Sequence, residues 1–294
     1  MTLAASRIVV QGESPYDHER NAIRFAVDAL PNTDPYHLWA LLELLDPTTG
    51  RLHEIDLIVL GYSALYLIEV KSGPGRYTGD YQDWYRTPPG EDRPRYLENP
   101  LILTNQKAKV LASRLQKKLK NPKHRPWIQP LIFLSAEDLT LAFKNFGDQN
   151  VVTRKTLLKA VQHHQFPGSR EDWRARRIDE PQMRDIAQAI AAIGLKPRKG
   201  QAHVGSYALG SVLEEGPGYQ DRTAVHRDQP AFTRRARIYL VPQQSEVERR
   251  QQLIRAADRE AQLLWDVREH PNILSVTEYV TDAPLGRTVL FESF

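Results

Sequence analysis

His53-Glu54-Ile55-Asp56-Leu57-Ile58-Val59-Leu60 and, after Gly61-Tyr62-Ser63, Ala64-Leu65-Tyr66-Leu67-Ile68-Glu69-Val70-Lys71 read as two strands of one buried hairpin. Apolar residues run almost unbroken through both, the pattern of strands covered on two faces. A turn centred between Tyr62 and Ser63 sets Asp56 opposite Glu69 and Glu54 opposite Lys71. Side chains alternate along a strand, so Glu69 and Lys71 share a face, and Asp56 and Glu54 share it too. Opposed carboxylates stand about 4.5–5.5 Å apart at Cβ and repel, so this pairing needs positive charge between them. A divalent cation held by Asp56 and Glu69 would supply it: Mg²⁺ (or Mn²⁺) takes oxygen ligands, commonly one or two carboxylates together with substrate phosphate. Such an ion polarises a scissile phosphate and activates water, and Lys71 would stabilise the developing charge. The plainer alternative is a hairpin with a surface salt bridge, but charges at the edge of so apolar a sheet stand out against its pattern.

Outward from the hairpin, Ser14-Pro15-Tyr16-Asp17 has the form of a helix start, and Ile23, Val27 and Leu30 give the helix to Leu30 one buried stripe. Tyr36–Leu45 reads as a further covered strand, Tyr77–Arg86 as a short one, and Thr87–Asn99 as a Pro-rich loop. Asn99-Pro100 opens a long helix to about Lys120. Ile128–Leu134 reads as a core strand, with helices at Thr153–His164 and Glu180–Ile193. This order gives an α/β plan around a mixed sheet. A short basic stretch with Pro and Gly follows, so the domains are set at 1–195 and 207–294, with 196–206 as a linker. The second domain has short strands and one charged helix near Val247–Arg268.

A chain of 294 residues suits two folded domains, and 41% hydrophobic with 26% charged residues suits buried cores. The absence of cysteine excludes disulfides and thiolate metal sites and fits a cytoplasmic setting. No apolar stretch reaches the about 20 residues that span a bilayer, so no membrane partner is expected. The net charge of +4 says little by itself. Its distribution says more: Lys107, Lys109, Arg114, Lys117, Lys118, Lys120, Lys123 and Arg125 occur without an intervening acid. They form either a solvated helix face or a phosphate-contacting surface.

The hairpin residues, with the continuation Ser72-Gly73-Pro74-Gly75, resemble the nuclease-related domain (NERD), a branch of the PD-(D/E)XK superfamily. The resemblance extends over Tyr16 to Leu119 and takes in Glu19, Asn99-Pro100 and Gln106. It implies a restriction-endonuclease-like mixed sheet flanked by helices, with Asp56, Glu69 and Lys71 as its core and Glu19 and Gln106 in support. Residues 207–294 resemble the N-terminal lobe of a protein kinase, a smaller α+β domain. Gly216 and Gly218 stand where a glycine-rich loop would, and Glu260 where the C-helix acid would. Tyr239 stands in place of the strand lysine, and the catalytic-loop and metal-binding Asp motifs lie beyond the sequence. ATP therefore belongs to a longer parent protein if to any, and a lobe without its partner is expected to self-associate or be covered. The domain order resembles the PglW-type kinases of bacterial phage-growth-limitation and BREX defence systems. It implies DNA and other defence proteins as partners. The resemblance leaves two functions: Mg²⁺-dependent cleavage of DNA, or a catalytically silent nucleic-acid or partner-binding module that regulates the attached kinase.

Overall fold

The hairpin lies at the middle of the first sheet. The computed structural model describes residues 3–12, 14, 17–170, 176–198, 203–216, 218–239, 247–281 and 287–292. Pro15 and Tyr16 of the expected helix start lie outside these, as does part of the 196–206 stretch. The chain folds into two units, one of residues 1–44 and 54–198, the other of 45–53 and 199–294.

In the first unit, strands β1 (Ile8–Val10), β2 (His37–Leu45), β3 (Leu52–Leu60) and β4 (Leu65–Lys71) precede a small subsheet of β5 (Gly75–Gly79), β6 (Asp83–Thr87) and β7 (Arg95–Glu98). Then come β8 (Ile128–Leu134), β9 (Leu139–Phe143), β10 (Val151–Thr153) and β11 (Lys196–Pro197). The helices are α1 (Asp17–Ala29), α2 (Pro100–Gln116), α3 (Leu157–His163) and α4 (Glu180–Ala192). The main sheet runs β1-β2-β3-β4-β8-β10, with β11 paired to β2. It is mixed: β4 is antiparallel to β3 and parallel to β8.

Alternation along these strands divides two cores. Leu57, Val59, Tyr66 and Ile68 pack with Ala22, Ile23 and Ala26 of α1 and Ala160 and Val161 of α3. Ile58, Leu60, Leu65 and Leu67 pack with Ala108, Leu111 and Leu115 of α2 and Ile186 and Ile190 of α4. The architecture is thus α/β, a mixed sheet between helices. Glu69 and Lys71 continue the alternation of Leu65 and Leu67 and so turn toward α2.

The second sheet, β7-β6-β5-β9, departs from the sequence expectation. Residues 77–86 are two strands, since Asp80 accepts from the amides of Gln82 and Asp83 at 2.8 and 3.1 Å and closes a turn. Gly79 opens that turn at φ 118°, where a Cβ would overlap the Asp83 carbonyl. β7 forms inside the expected Pro-rich loop, with Tyr85 paired to Tyr96. Tyr77, Trp84 and Phe143 anchor this sheet on Ile132 and Leu134.

The second unit is α+β. Strands β12 (His203–Val204), β13 (Tyr207–Gly216), β14 (Tyr219–His226), β15 (Thr233–Tyr239), β16 (Val276–Val280) and β17 (Thr288–Glu292) run in the order β12-β13-β14-β15-β17-β16. Helix α5 (Val247–Asp266) lies between β15 and β16 in sequence and packs Ala257 and Ala261 on Tyr239, Val276, Val289 and Phe291.

Asp185 of α4 fixes the turn after α2. It accepts from the Lys120 and Asn121 amides at 3.0 Å and contacts His124 Nδ1 at 2.9 Å. Burial alone would raise its pKa, but these donors outweigh it and hold the carboxyl below its ordinary 3.8. A depressed carboxyl contributes stability above the unfolded pKa that is lost as pH falls through the folded one. Asp185→Ala is expected to lower stability by about 2–3 kcal/mol at pH 7, through two orphaned amides, and the gap to wild type should narrow below about pH 4. Denaturant unfolding at pH 7 and pH 3 checks this; a gap independent of pH would contradict it.

Candidate active site

The β3–β4 ladder runs from Leu60↔Leu65 to Leu57↔Ile68, the register expected from the hairpin turn, and ends just before Asp56 and Glu69. At that point the two acids take other partners. Asp56 turns one oxygen to the backbone N–H of Val70, at 2.8 Å. Its other oxygen accepts from Arg198 Nη2 at 2.5 Å. Glu69 accepts from Lys71 Nζ at 3.0 Å on one oxygen and from Lys107 Nζ at 2.7 Å on the other. Glu19, in the first turn of α1, accepts from Arg198 Nη1 at 2.6 Å and from the Ser14 hydroxyl. Arg198 therefore bridges Glu19 and Asp56, and Glu54 lies 3.9 Å from its Nε.

Of the residues expected from sequence, the structure brings together Glu19, Asp56, Glu69 and Lys71. Gln106 is exposed on α2, and its neighbour Lys107, only 6% exposed, is the residue that reaches Glu69. Lys107 thus leaves the basic run and joins the cluster. The stretch expected as a linker also begins otherwise: Lys196 and Pro197 pair with Glu43 and Leu42 of β2, and Arg198 is 9% exposed. The signal for Lys107 was its place in the stripe of Thr104, Ala108 and Leu111, all buried on α2. Arg198 carried no local signal, being 142 residues from Asp56 in sequence.

The electrostatics follow from burial and pairing. Burial opposes ionisation of Glu69, but Lys107 and Lys71 outweigh it and hold its carboxyl far below the ordinary range. Glu69 in turn pushes Lys71 up to about 12. Burial and then Glu69 push Asp56 up to about 7, against the pull of Arg198. Burial disfavours the charge on Arg198, yet Asp56 and Glu19 more than offset this.

Every oxygen of Glu19, Asp56 and Glu69 has a donor. Held this way, the acids do not fit Mg²⁺ or Mn²⁺. Among the described residues, no group of three or more His, Asp or Glu side chains is arranged to hold a metal. A dication about 4 Å from one guanidinium meets a repulsion of about 8 kcal/mol at an effective dielectric of about 20.

In the second unit, Gly216 ends β13, and a Cβ there would strike the Tyr219 ring. Gly218 has φ 84° and open space around it. Glu260, on α5, is half-exposed and lies 3.8 Å from Arg237 Nη1. Burial and then Glu260 raise the pKa of the Tyr239 hydroxyl. Fully buried Asp221 anchors Arg237 at 2.9 Å and also pairs with Arg235, while the Arg237 guanidinium lies 4.1 Å from the Tyr219 ring centroid. Tyr239 brings no positive charge, and Arg237 is held by Asp221.

Removing Arg198 leaves Glu19 and Asp56 buried without their shared partner. Arg198→Ala is expected to cost about 3–5 kcal/mol in denaturant unfolding, with part recovered when Asp56→Asn is added. A loss below about 1 kcal/mol, the range of exposed pairs, would place Arg198 in solvent.

Residues 14–135 match the nuclease-related domain (NERD) family. Over 274 residues, 93% of this chain, the sequence is 31% identical to a Streptomyces coelicolor protein named "Probable kinase PglW", of which it spans 17%. Glu19, Asp56, Glu69, Lys71 and Lys107 all fall inside the matched segment, and Arg198 falls outside it. Residues 14–135 are thus similar to a nuclease-related domain, and their fold is of the restriction-endonuclease-like α/β type.

Proposed function

We propose that the nuclease-related domain binds DNA as a sensor within a bacterial defence kinase, and that in its resting form it does not cleave. Of the two functions that follow from the sequence, the closed acid cluster favours the silent module. The observation that carries this is the bridge of Arg198 between Glu19 and Asp56, with Lys71 and Lys107 both on Glu69. A metal-dependent nuclease needs at least two of these acids turned to an ion.

Binding itself needs no ion. The part of the basic run beyond α2, with Lys117, Lys118, Lys120, Lys123 and Arg125 all exposed, is suited to phosphate contact. It adjoins the end of α2 away from Lys107, about ten residues and so about 15 Å along the helix axis. DNA held there would therefore be held apart from the acids.

For the second unit, a kinase N-lobe is supported by the order β13-β14-β15-β17-β16, by α5 lying between β15 and β16, and by the name of the Streptomyces relative. ATP use, defence partners and a cytoplasmic setting belong to this same reading of the longer protein.

The test is a DNA-binding titration of the full chain across salt concentrations, in Mg²⁺ and in EDTA, beside a Lys117→Glu/Lys118→Glu variant. Binding is expected to be equal in Mg²⁺ and EDTA, with intact DNA recovered. The variant should bind more weakly, with a log–log salt slope smaller by about two. Mg²⁺-dependent nicking that Glu69→Ala abolishes would restore the nuclease reading, and an unchanged slope would return the lysines to a solvated face.

A further inference from the structure

The seat of Arg198 is built by two features, neither of them near it in sequence. Leu41 interrupts β2 at φ 55°, a left-handed conformation rare for a leucine inside a strand. The interruption falls between the two segments that share this edge of β2. β1 pairs up to Ala40, and β11 pairs Pro197 with Leu42. The displaced Leu41 carbonyl accepts from the Arg198 amide at 2.8 Å. Gly12 passes so close that a Cβ would stand 2.4 Å from the Leu41 oxygen and 2.6 Å from the Arg198 nitrogen and oxygen. Backbone strain and a residue without a side chain thus meet where the Arg198 main chain is set. Such outliers mark positions that the surrounding structure holds for a purpose.

The same segment is lightly fastened elsewhere. β11 is two residues long, and Lys196 and Pro197 are exposed. Arg198 is the last residue of the first unit. Its Nε is buried with no hydrogen-bond acceptor, and a Glu54 oxygen lies 3.9 Å from it. Besides its amide bond to Leu41, what holds Arg198 is its ion pairs with Glu19 and Asp56.

We propose that Arg198 is a removable counter-ion: seated, it keeps the acid cluster metal-free, and withdrawn, it leaves Glu19, Asp56 and Glu69 as a divalent-cation site. With the guanidinium gone, three carboxylates face the two ammonium groups of Lys71 and Lys107. The resulting deficit of positive charge is met by an oxygen-seeking dication such as Mg²⁺ or Mn²⁺. The ion would replace the lost pairs, so withdrawal and metal binding are linked: each makes the other less costly. This inference deepens the closed-cluster reading above. Its test contains no DNA, so a failure to bind DNA leaves it standing.

The experiment is calorimetric titration of the full chain with Mn²⁺, alongside thermal unfolding with and without the ion. Wild type is expected to show no site at millimolar Mn²⁺ and no shift in Tm. Arg198→Gln, which keeps bulk and polarity, should gain one site, at least tenfold tighter than any heat seen in wild type, and its Tm should rise with Mn²⁺. Adding Asp56→Asn should abolish both. If Arg198→Gln does not fold, Arg198→Lys serves, because the shorter side chain keeps a charge but cannot span both acids; it should gain a weaker site. Wild type binding Mn²⁺ in a manner lost in Asp56→Asn would overturn the proposal, as would either folded Arg198 variant without a gain.

Discussion

Buried carboxylates cannot stand unpaired, and that constraint orders the first unit. Glu19, Asp56 and Glu69 are each under a tenth to about a seventh exposed at the side chain, so leaving any of them charged and alone costs several kcal/mol. The fold answers with cations from three separate places: Lys71 from the same strand, Lys107 from the helix covering that face, and Arg198 from the far end of the unit. Placing Lys107 fixes the rotation of α2 on the sheet, with Ala108, Leu111 and Leu115 turned into the core beside it. Placing Arg198 fixes the end of the unit against β2, through the Leu41 interruption and the space at Gly12.

The same arrangement explains how a nuclease-like core can be present without presenting a metal site. A catalytic carboxylate pair is costly until something positive arrives, and here the chain itself brings that charge. The pull is uneven. Glu69 has two ammonium groups and is held firmly ionised, whereas Asp56 is driven up to about 7 by burial and by Glu69. Asp56 is thus the acid whose charge depends most on its guanidinium. In the second unit the theme recurs, with buried Asp221 holding Arg235 and Arg237 on the face of β15. There too the cations are tied inward, where a phosphate-binding lobe would turn one outward.

Much of this is legible in the sequence, for local reasons. The β3–β4 register follows from strand period and turn length, and Asp56, Glu69 and Lys71 from their places at the end of an apolar run. β8 and the starts of α2 and α4 are marked by continuous hydrophobicity and by Asn99-Pro100 and Asp179-Glu180-Pro181. Other features depend on partners remote in sequence. Residues 77–86 read as one strand because the Asp80 turn has no Asn-Gly signal, and β7 is hidden in a Pro-rich stretch. Lys107 reads as one member of a basic surface until the helix face beneath it is known. Arg198 stands in a basic Pro- and Gly-containing stretch, the composition of a linker, and only the folded chain brings it to Glu19 and Asp56.

The most direct measurement is a crystal of the full chain soaked in Mn²⁺, with an anomalous difference map calculated at the manganese edge. The expected map has no peak within coordination distance of Glu19, Asp56 or Glu69, and shows the Arg198 guanidinium in density between Glu19 and Asp56. A manganese peak bound by Asp56 and Glu69 in the wild-type protein, with Arg198 turned away, would contradict the closed cluster and make the domain a metal site at rest.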